Sequence, residues 1–525
     1  PNGRYGINKG NGSLLYGDIL LNFKKQLAEK LSFNATLGTA HNRNQSYNLI
    51  VDSGTAGGLN FANEFSIQNI KDPTQGTLTE VLSRVKTNSV FGSGQFGYDN
   101  FIYFDVTGRN DWTSSLPGKS FFYPSFGLSS VITEKVNLGA INFAKVRASY
   151  AVVGSGVPAF LNNQIQDRHQ IVNGNLVLTQ VGVIPGTELK PEKSKSFEVG
   201  VDLRAINNKL SVDLTYYKNN TIDQFIQIAA PAGSGFTNYL VNAGNIQNSG
   251  IEGLIGYQIV DNSDFKWNTS LNFTKNTNKV IDVHPTLDKT DAPLFITNEG
   301  VNSYRMVMKK GGQFGDIYGV AFDRDAQGRI ILDDKGVPTK KDGYFNLGNA
   351  NPNFMAGWSN DVSYKGINVR VLIDGRFGGK VMSITQSSLD LFGVSKATAD
   401  ARDAGGVAIN AVAKDGKAVT TIDAKTYYSA VGGRNGITEA YMYDATNIRL
   451  REVSVGFKLP KSIISGNGTF KGAKVSLIGR NLFFISKKAP FDPDLTFSTG
   501  VGLQGVDVFS LPTTRSLGVS LSVDL

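Results

Sequence analysis

Carboxylates and arginines recur at alternate positions in several segments of the sequence, where they could carry acid–base or ion-pair chemistry. They are Glu198, Asp202, Arg204, Asp213, Arg370, Asp374 and Arg376. Paired carboxylates can serve as general acid and base, but in this sequence arginines alternate with them. We therefore interpret these residues as a hydrogen-bonded polar wall that faces a lumen or a plug, and not as a catalytic group.

Other catalytic groups are sparse. The three histidines, His41, His169 and His284, fall in predicted loops, and the sequence contains no G-x-S-x-G nucleophile motif. It also has no cysteine, which excludes disulfides and cysteine-ligated zinc. We expect a protein that is not an enzyme; a triad assembled across loops stays open as the alternative.

A glycine motif resembles a dinucleotide site. The segment GSGQFG, with Gly92, Gly94 and Gly97, fits the pattern G-x-G-x-x-G. That site needs a helix directly after the glycines, whereas here a strand-like segment, NFIYFDVTG, follows. We interpret the glycines as easing the curvature of a strand, and we expect no cofactor.

An acidic motif resembles a calcium loop. The segment DRDAQGRIILDD places Asp323, Asp325 and Asp334 at similar spacings. Its last position is aspartate where the calcium loop has a bidentate glutamate, and no predicted pair of helices flanks it. A solvated hairpin is the favoured interpretation, with a weak calcium site as the alternative.

Aromatic side chains in predicted loops could stack on sugar rings or grip peptide side chains. The candidates for substrate contact are Trp112, Tyr304, Phe314, Tyr318 and Phe392. The alternative for each of them is packing of the loops on one another or on a partner protein.

The elements that position these residues are predicted to be β-strands. The closing segment LGVSLSVDL alternates apolar with small or polar residues, which is typical of a strand with one apolar face. About fifteen such segments recur along the chain. In NIRLREVSVGFKL the alternation changes phase, which predicts a β-bulge near Glu452.

The connections between these strands are alternately short and long. The long loops lie near 42–83, 154–193, 220–245, 279–353, 381–444 and 485–510. Short turns at one end and long loops at the other are typical of outer-membrane barrels, and no run of about 18 apolar residues could form a membrane helix. We predict an all-β fold, an antiparallel transmembrane β-barrel that crosses the outer membrane many times and contacts its lipid. The charge of +9 is spread along the chain and indicates no nucleic-acid partner.

The count of strands indicates that part of the barrel is missing. Fifteen is odd, whereas bacterial barrels have even strand numbers, and the sequence opens at Pro1 without a signal segment. We expect a removed signal or a longer protein, with an N-terminal portion outside this sequence.

Several ordered segments resemble SusC/RagA-like TonB-linked outer-membrane proteins of the Bacteroidetes. They are DVTGRNDWTSSLP, SFFYPSFGLS, KVRASYAVVG, LKPEKSKSFEVGVD, NAGNIQNSGIEG, LIDGRFGG, ATNIRLREVSVGFKLP and GRNLFFISKKAPFDPD. The resemblance covers essentially the whole chain, residues 1–525. It implies that this is the C-terminal part of a barrel of about 22 strands, whose plug and TonB-contact region lie in the absent N-terminal portion.

The resemblance further implies import of oligosaccharides or peptides, together with a SusD-like surface lipoprotein and the TonB complex. We expect loops 279–353, 381–444 and 485–510 to form much of the docking surface for that lipoprotein, because long loops usually have a role. The alternative is that these loops fold inward and narrow the mouth. Two other functions stay open: a structural or docking barrel in a surface-secretion assembly, and a surface β-protein that binds glycans.

Overall fold

The computed structural model describes residues 2–524 except 117, 119, 158–165, 173–174, 184–188, 230–235, 291–292, 296–303, 461–470 and 495–503. The strands are β1 (Gly6–Ala28), β2 (Leu31–Asp52), β3 (Thr77–Tyr98), β4 (Ile102–Thr113), β5 (Ser120–Val131), β6 (Ile141–Ser155), β7 (Gln166–Val172), β8 (Asn175–Val183), β9 (Glu192–Ala205), β10 (Leu210–Ala229), β11 (Phe236–Asp261), β12 (Phe265–Asp282), β13 (Leu294–Phe295), β14 (Tyr304–Met308), β15 (Asp316–Gly319), β16 (Ile330–Ile331), β17 (Phe345–Asn349), β18 (Phe354–Tyr364), β19 (Ile367–Phe377), β20 (Lys380–Ser383), β21 (Val407–Val412), β22 (Ala418–Ile422), β23 (Met442–Asp444), β24 (Asn447–Lys458), β25 (Gly472–Lys487), β26 (Val506–Asp507) and β27 (Ser516–Asp524). The α-helices are α1 (Gly54–Gly57), α2 (Pro285–Thr290), α3 (Ile384–Leu391), α4 (Lys396–Asp403) and α5 (Ala424–Val431). Short 3₁₀ helices span Ile67–Asn69, Pro73–Gln75, Ile132–Glu134 and Thr438–Tyr441. In the described part of the chain, no helix combines the length and apolarity that a bilayer crossing requires.

The chain divides into two compact units. The first comprises residues 1–130, 148–197 and 221–243, and the second comprises 131–147, 198–220 and 244–525. The predicted all-β class is confirmed, because long antiparallel strands make up most of the described residues.

In the first unit, β1 to β5 pair in chain order as an antiparallel meander. The strands β2 and β3 reach well into the predicted loop 42–83, so that only 53–76 connects them. Sequence alternation fades in the polar stretch NRNQSY, but backbone hydrogen bonds between strands do not depend on side-chain polarity. The predicted loop 42–83 is therefore too long, because β2 ends later and β3 begins earlier than the alternation predicts. The predicted loop 220–245 is too long as well, because β10 and β11 extend into it, and the predicted loop 154–193 contains β7 and β8.

The second unit contains a sheet of successively paired antiparallel strands, which we call the wall. Its strands are β11, β12, β18, β19, β24, β25 and β27. Their long connections all lie at one end of this wall, as the sequence predicts. The predicted bulge is confirmed as well: in the β19–β24 ladder Leu372 pairs with Glu452 and Ile373 pairs with Leu450, which leaves Arg451 as the extra residue.

The long connections of the second unit are folded. We call the described residues of 283–353, 381–444 and 504–511 the cap. One of its apolar clusters brings together Met306, Ile317, Met382 and Val506, which come from all three connections. A second cluster packs Phe322, Ile330 and Leu332 against the core of the segment 411–441. Three small sheets accompany these clusters, β13-β14-β15-β17, β16-β21-β22 and β20 with β23 and β26. The three loops therefore share cores and form one layer.

Candidate functional site

A cavity of about 950 Å³, lined by charged, amide and apolar side chains, lies on one face of the wall of the second unit. We call it the polar cavity for its charged and amide groups. Its charged and amide side chains are Arg147, Asp213, Glu252, Asn272, Asp374, Arg376, Asn447, Arg451 and Asp494. They come from β6, β10, β11, β12, β19, β24 and the segment after β25. Alternation places them on one face because successive side chains of a strand point to opposite sides.

The bulge at Arg451 shapes this cavity. Because Arg451 is inserted, it and the paired residue Glu452 both fall on the polar face, which regular alternation forbids. Arg451 donates from Nε and from Nη2 to Oδ2 of Asp374 at 2.9 and 2.7 Å. A further Arg451 nitrogen donates to Asn481 at 2.9 Å. The bulge thus supplies a cation that fixes the Asp374 carboxylate.

A second ion pair lines the same face. Arg147 donates to Asp213 and to the Thr215 hydroxyl, both at 2.6 Å. The guanidinium lies across Gly200, where an added Cβ atom would come within 2.7 Å of it. A side chain at position 200 would therefore displace the guanidinium of this ion pair.

Arg449 is the most buried charge in the described part of the second unit. It is 2% exposed, and its guanidinium lies 2.9 Å from the carboxylate of Asp492 and 3.7 Å from that of Asp494. The ring of Phe484 is 3.9 Å below it. These contacts hold the segment after β25 against the wall.

Asp492 is held as the anion. Burial raises the pKa of Asp492, but the hydroxyl of Thr513 and the backbone N–H of Asp494 both donate to the carboxylate, and Arg449 adds its charge. These contacts outweigh the burial, so the pKa lies below its ordinary value. This pair could not be recognised in the sequence because Arg449 and Asp492 are 43 positions apart. The available signal was two arginines in NIRLRE and two aspartates in PFDPD.

The predicted wall residues take different environments. Asp374 and Arg376 line the polar cavity, and Arg376 donates to the backbone oxygen of Ala350 in the cap at 2.5 Å. Arg370 is half exposed and lies 3.9 Å from Asp361, too far for a strong pair.

The remaining predicted wall residues lie on β9 and β10. Asp213 carries the ion pair with Arg147. Arg204 lies 5.3 Å from the ring of Phe143. Glu198 and Asp202 share the face of β9 on which Gly200 underlies Arg147. The prediction that these four residues face a lumen remains a proposal.

The predicted substrate aromatics take different environments. Tyr304 is 3% exposed and its hydroxyl donates to the backbone of Gln504, which favours the packing alternative. Trp112 lies on the apolar face of β4, a position typical of the aromatic belt of a barrel. Phe314 and Tyr318 are half-buried in the cap, whereas Phe392 is 76% exposed.

Two carboxylates of the calcium-like motif form ion pairs with basic side chains. Asp325 bonds to Arg329 at 2.7 Å, and Asp334 pairs with Lys414 at 2.9 Å. The backbone N–H of Asp323 donates to Thr339. Among the residues that the structure describes, no group of three or more histidine or acidic side chains could hold a metal ion.

The prediction that the histidines lie in loops is wrong for His41 and for His169, which lies within β7. His41 lies within β2 and its ring nitrogen is 2.7 Å from the Asn88 side chain. His284 directly precedes α2. The side chain of His169 lies outside the described residues.

The family model for the TonB dependent receptor-like β-barrel matches residues 2–429. The TonB-dependent receptor P3 of Formosa agariphila is 26% identical over 546 residues, which cover 94% of this chain and 51% of that protein. The TonB-dependent receptor SusC of Bacteroides thetaiotaomicron is 23% identical over 227 residues, 40% of this chain and 22% of SusC.

Solved structures show the same fold. The RagAB peptide importer in its open-open state superposes with a TM-score of 0.75 at 18% identity, over 99% of this chain and 55% of that chain. The chain thus spans about half the length of the first curated relatives and of this structure.

Proposed function

Because this chain belongs to the TonB-dependent receptor-like β-barrel family, we propose that its protein imports oligosaccharides or peptides across the outer membrane. Import is coupled to the TonB complex, through a region outside this sequence, and leaves the substrate chemically unchanged. The barrel lies in the outer membrane, and the family comprises transporters and receptors and not enzymes.

The polar cavity borders the folded cap, and this arrangement supports import. Arg376 lines the cavity and binds the backbone of Ala350 in the cap. A large polar cavity under a structured layer suits a solute that is bound and passed through, since binding sites need concave surfaces with placed polar groups.

We infer the proposed substrate class from the relatives of this chain. One solved relative is a peptide importer and one curated relative is SusC. The wall offers both charges and amides, so the proposal includes peptides and oligosaccharides alike.

We expect deletion of the gene to abolish energy-dependent uptake of at least one defined oligosaccharide or peptide. Cells would be given labelled oligomers of both classes, with and without a protonophore, because TonB coupling needs the proton gradient. Restoring the intact gene should restore uptake. If uptake of every oligomer tested is unchanged, the protein is not an importer, and a structural barrel in a secretion assembly takes its place.

For the partner, we propose a SusD-like lipoprotein that docks on the cap. Four apolar side chains of this layer face outward: Phe392 at 76% exposed, Val394 at 68%, Phe509 at 62% and Leu511 at 89%. Exposed apolar groups on a folded surface favour a protein interface. The aspartates of APFDPD bond inward to the wall, so that segment anchors the loop.

Replacing Phe392 and Val394 together by serine should weaken lipoprotein binding at least tenfold, because each buried apolar side chain contributes about 1.5–3 kcal/mol. Co-purification of the lipoprotein with the full-length barrel measures this. Lys417→Ser, on an 83% exposed side chain of the same layer, is the matched control. Full recovery of the lipoprotein with the double variant would contradict docking on this surface. Point changes are preferable to deleting 381–444, because that deletion removes more than half of a shared core.

A further inference from the structure

The glycine motif GSGQFG forms part of an apolar groove of about 640 Å³ in the first unit. By cross-strand register, Ala35 pairs with Gly94 and Gly94 with Val106, while Leu37 pairs with Gly92 and Gly92 with Gly108. Two adjacent rows therefore carry small residues on β2, β3 and β4. The larger side chains of Phe23, Phe33 and Phe122 line the groove around these small residues.

The groove opens on the apolar face of the first unit. Its rim residues Leu21, Phe23, Phe122 and Phe126 are 66%, 51%, 60% and 45% exposed. The opposite face is polar and bonded to itself: Thr36 donates to Asn22 at 2.8 Å and Thr107 lies 2.6 Å from Ser125. In a barrel of the outer membrane, the predominantly apolar face meets lipid.

The distance along β1 between Lys25 and the groove residue Leu21 indicates which ligand suits the groove. Lys25 shares the face of Leu21 and Phe23 on β1, and it pairs in register with Phe33, which lines the groove. Lys25 lies four residues before the short turn at 29–30, and Leu21 lies four residues further along β1, about 13 Å away. That span is close to half of a hydrocarbon core of about 30 Å.

We propose that this groove binds an acyl chain of a phospholipid from the leaflet at the short-turn end, with its phosphate at Lys25. The groove has apolar walls that would hold no water, and the lysine complements the phosphate charge. The glycines keep the floor low enough for a chain to lie in it. This assignment rests on the outer-membrane location and not on the import proposal.

A larger side chain at a groove residue should occupy the space of the acyl chain. At Gly94 an added Cβ atom meets Phe33 and Val106 at 3.5 and 3.6 Å, ordinary contact distances, so Gly94→Leu should be accommodated and should occupy the groove. Gly17→Leu adds the same side chain to the same face of β1, where nothing lies within 4 Å, and is the matched control. Ala35→Phe fills the groove from β2 if Gly94→Leu fails to assemble.

Native mass spectrometry of the full-length protein, titrated with dioleoyl-phosphatidylglycerol, counts retained lipids. We expect Gly94→Leu and Ala35→Phe to lose one tightly held lipid, Gly17→Leu to keep it, and Lys25→Gln to bind it about fivefold more weakly. Equal retention by all variants would overturn the proposal. So would conversion of a dimer to a monomer by Gly94→Leu, because the occupant would then be a second copy of the chain.

Discussion

Replacing Asp492 by alanine should release the segment after β25 from the wall, with a loss of about 3–5 kcal/mol of local stability. Arg449 is 2% exposed and its partner Asp492 is 6% exposed. Removing the carboxylate leaves the guanidinium buried beside Phe484, with Asp494 at 3.7 Å as its remaining anion. The Thr513 side chain loses its acceptor as well.

Native-state proteolysis or hydrogen exchange of the full-length barrel measures this release, since both report local opening. Asp415→Ala is the control, because Asp415 is 53% exposed and its pair with Lys417 is worth about 0–1 kcal/mol at most. The double variant Arg449→Met with Asp492→Leu should recover most of the protection, because it removes both buried charges. If Asp492→Ala opens no more readily than Asp415→Ala, the pair does not hold this segment.

The wall could be predicted from sequence because its signal is local. Alternation in INVRVLIDGRF separates Arg370, Asp374 and Arg376 from the apolar residues of β19, and the phase change in NIRLREVSVGFKL located the bulge. A strand sets its two faces within a few residues. No long-range contact is needed for this inference.

The cap could not be predicted, because its cores join residues far apart in the chain. Tyr304 bonds to the backbone of Gln504, 200 positions away, and Met306, Met382 and Val506 pack in one cluster. Its strands and helices are too short to show periodicity. For the same reason, burial of Tyr304 and exposure of Phe392 could not be distinguished in the sequence.

The role of the glycines in GSGQFG could not be predicted from their spacing. The spacing of Gly92, Gly94 and Gly97 resembles a dinucleotide site, but β4 follows them where that site needs a helix. What the glycines do instead depends on the register of β2, β3 and β4, which places Ala35 and Gly108 beside them.

We propose that the polar face of the wall faces a lumen and that the apolar face meets lipid. Arg370 and Val371 are neighbours on β19 and point to opposite faces. An arginine on the lipid side near the membrane midplane would cost about 2–4 kcal/mol, and Asp374 and Arg376 share the face of Arg370.

Labelling of single cysteines distinguishes the two faces, because the chain has no cysteine of its own. Arg370→Cys and Val371→Cys would be made in the full-length protein and treated in outer-membrane vesicles with a membrane-impermeant maleimide, with the unfolded proteins as the reference for full reaction. We predict that the cysteine at 370 reacts while the cysteine at 371 stays protected. Reaction at 371 with protection at 370 would contradict the assignment of the two faces.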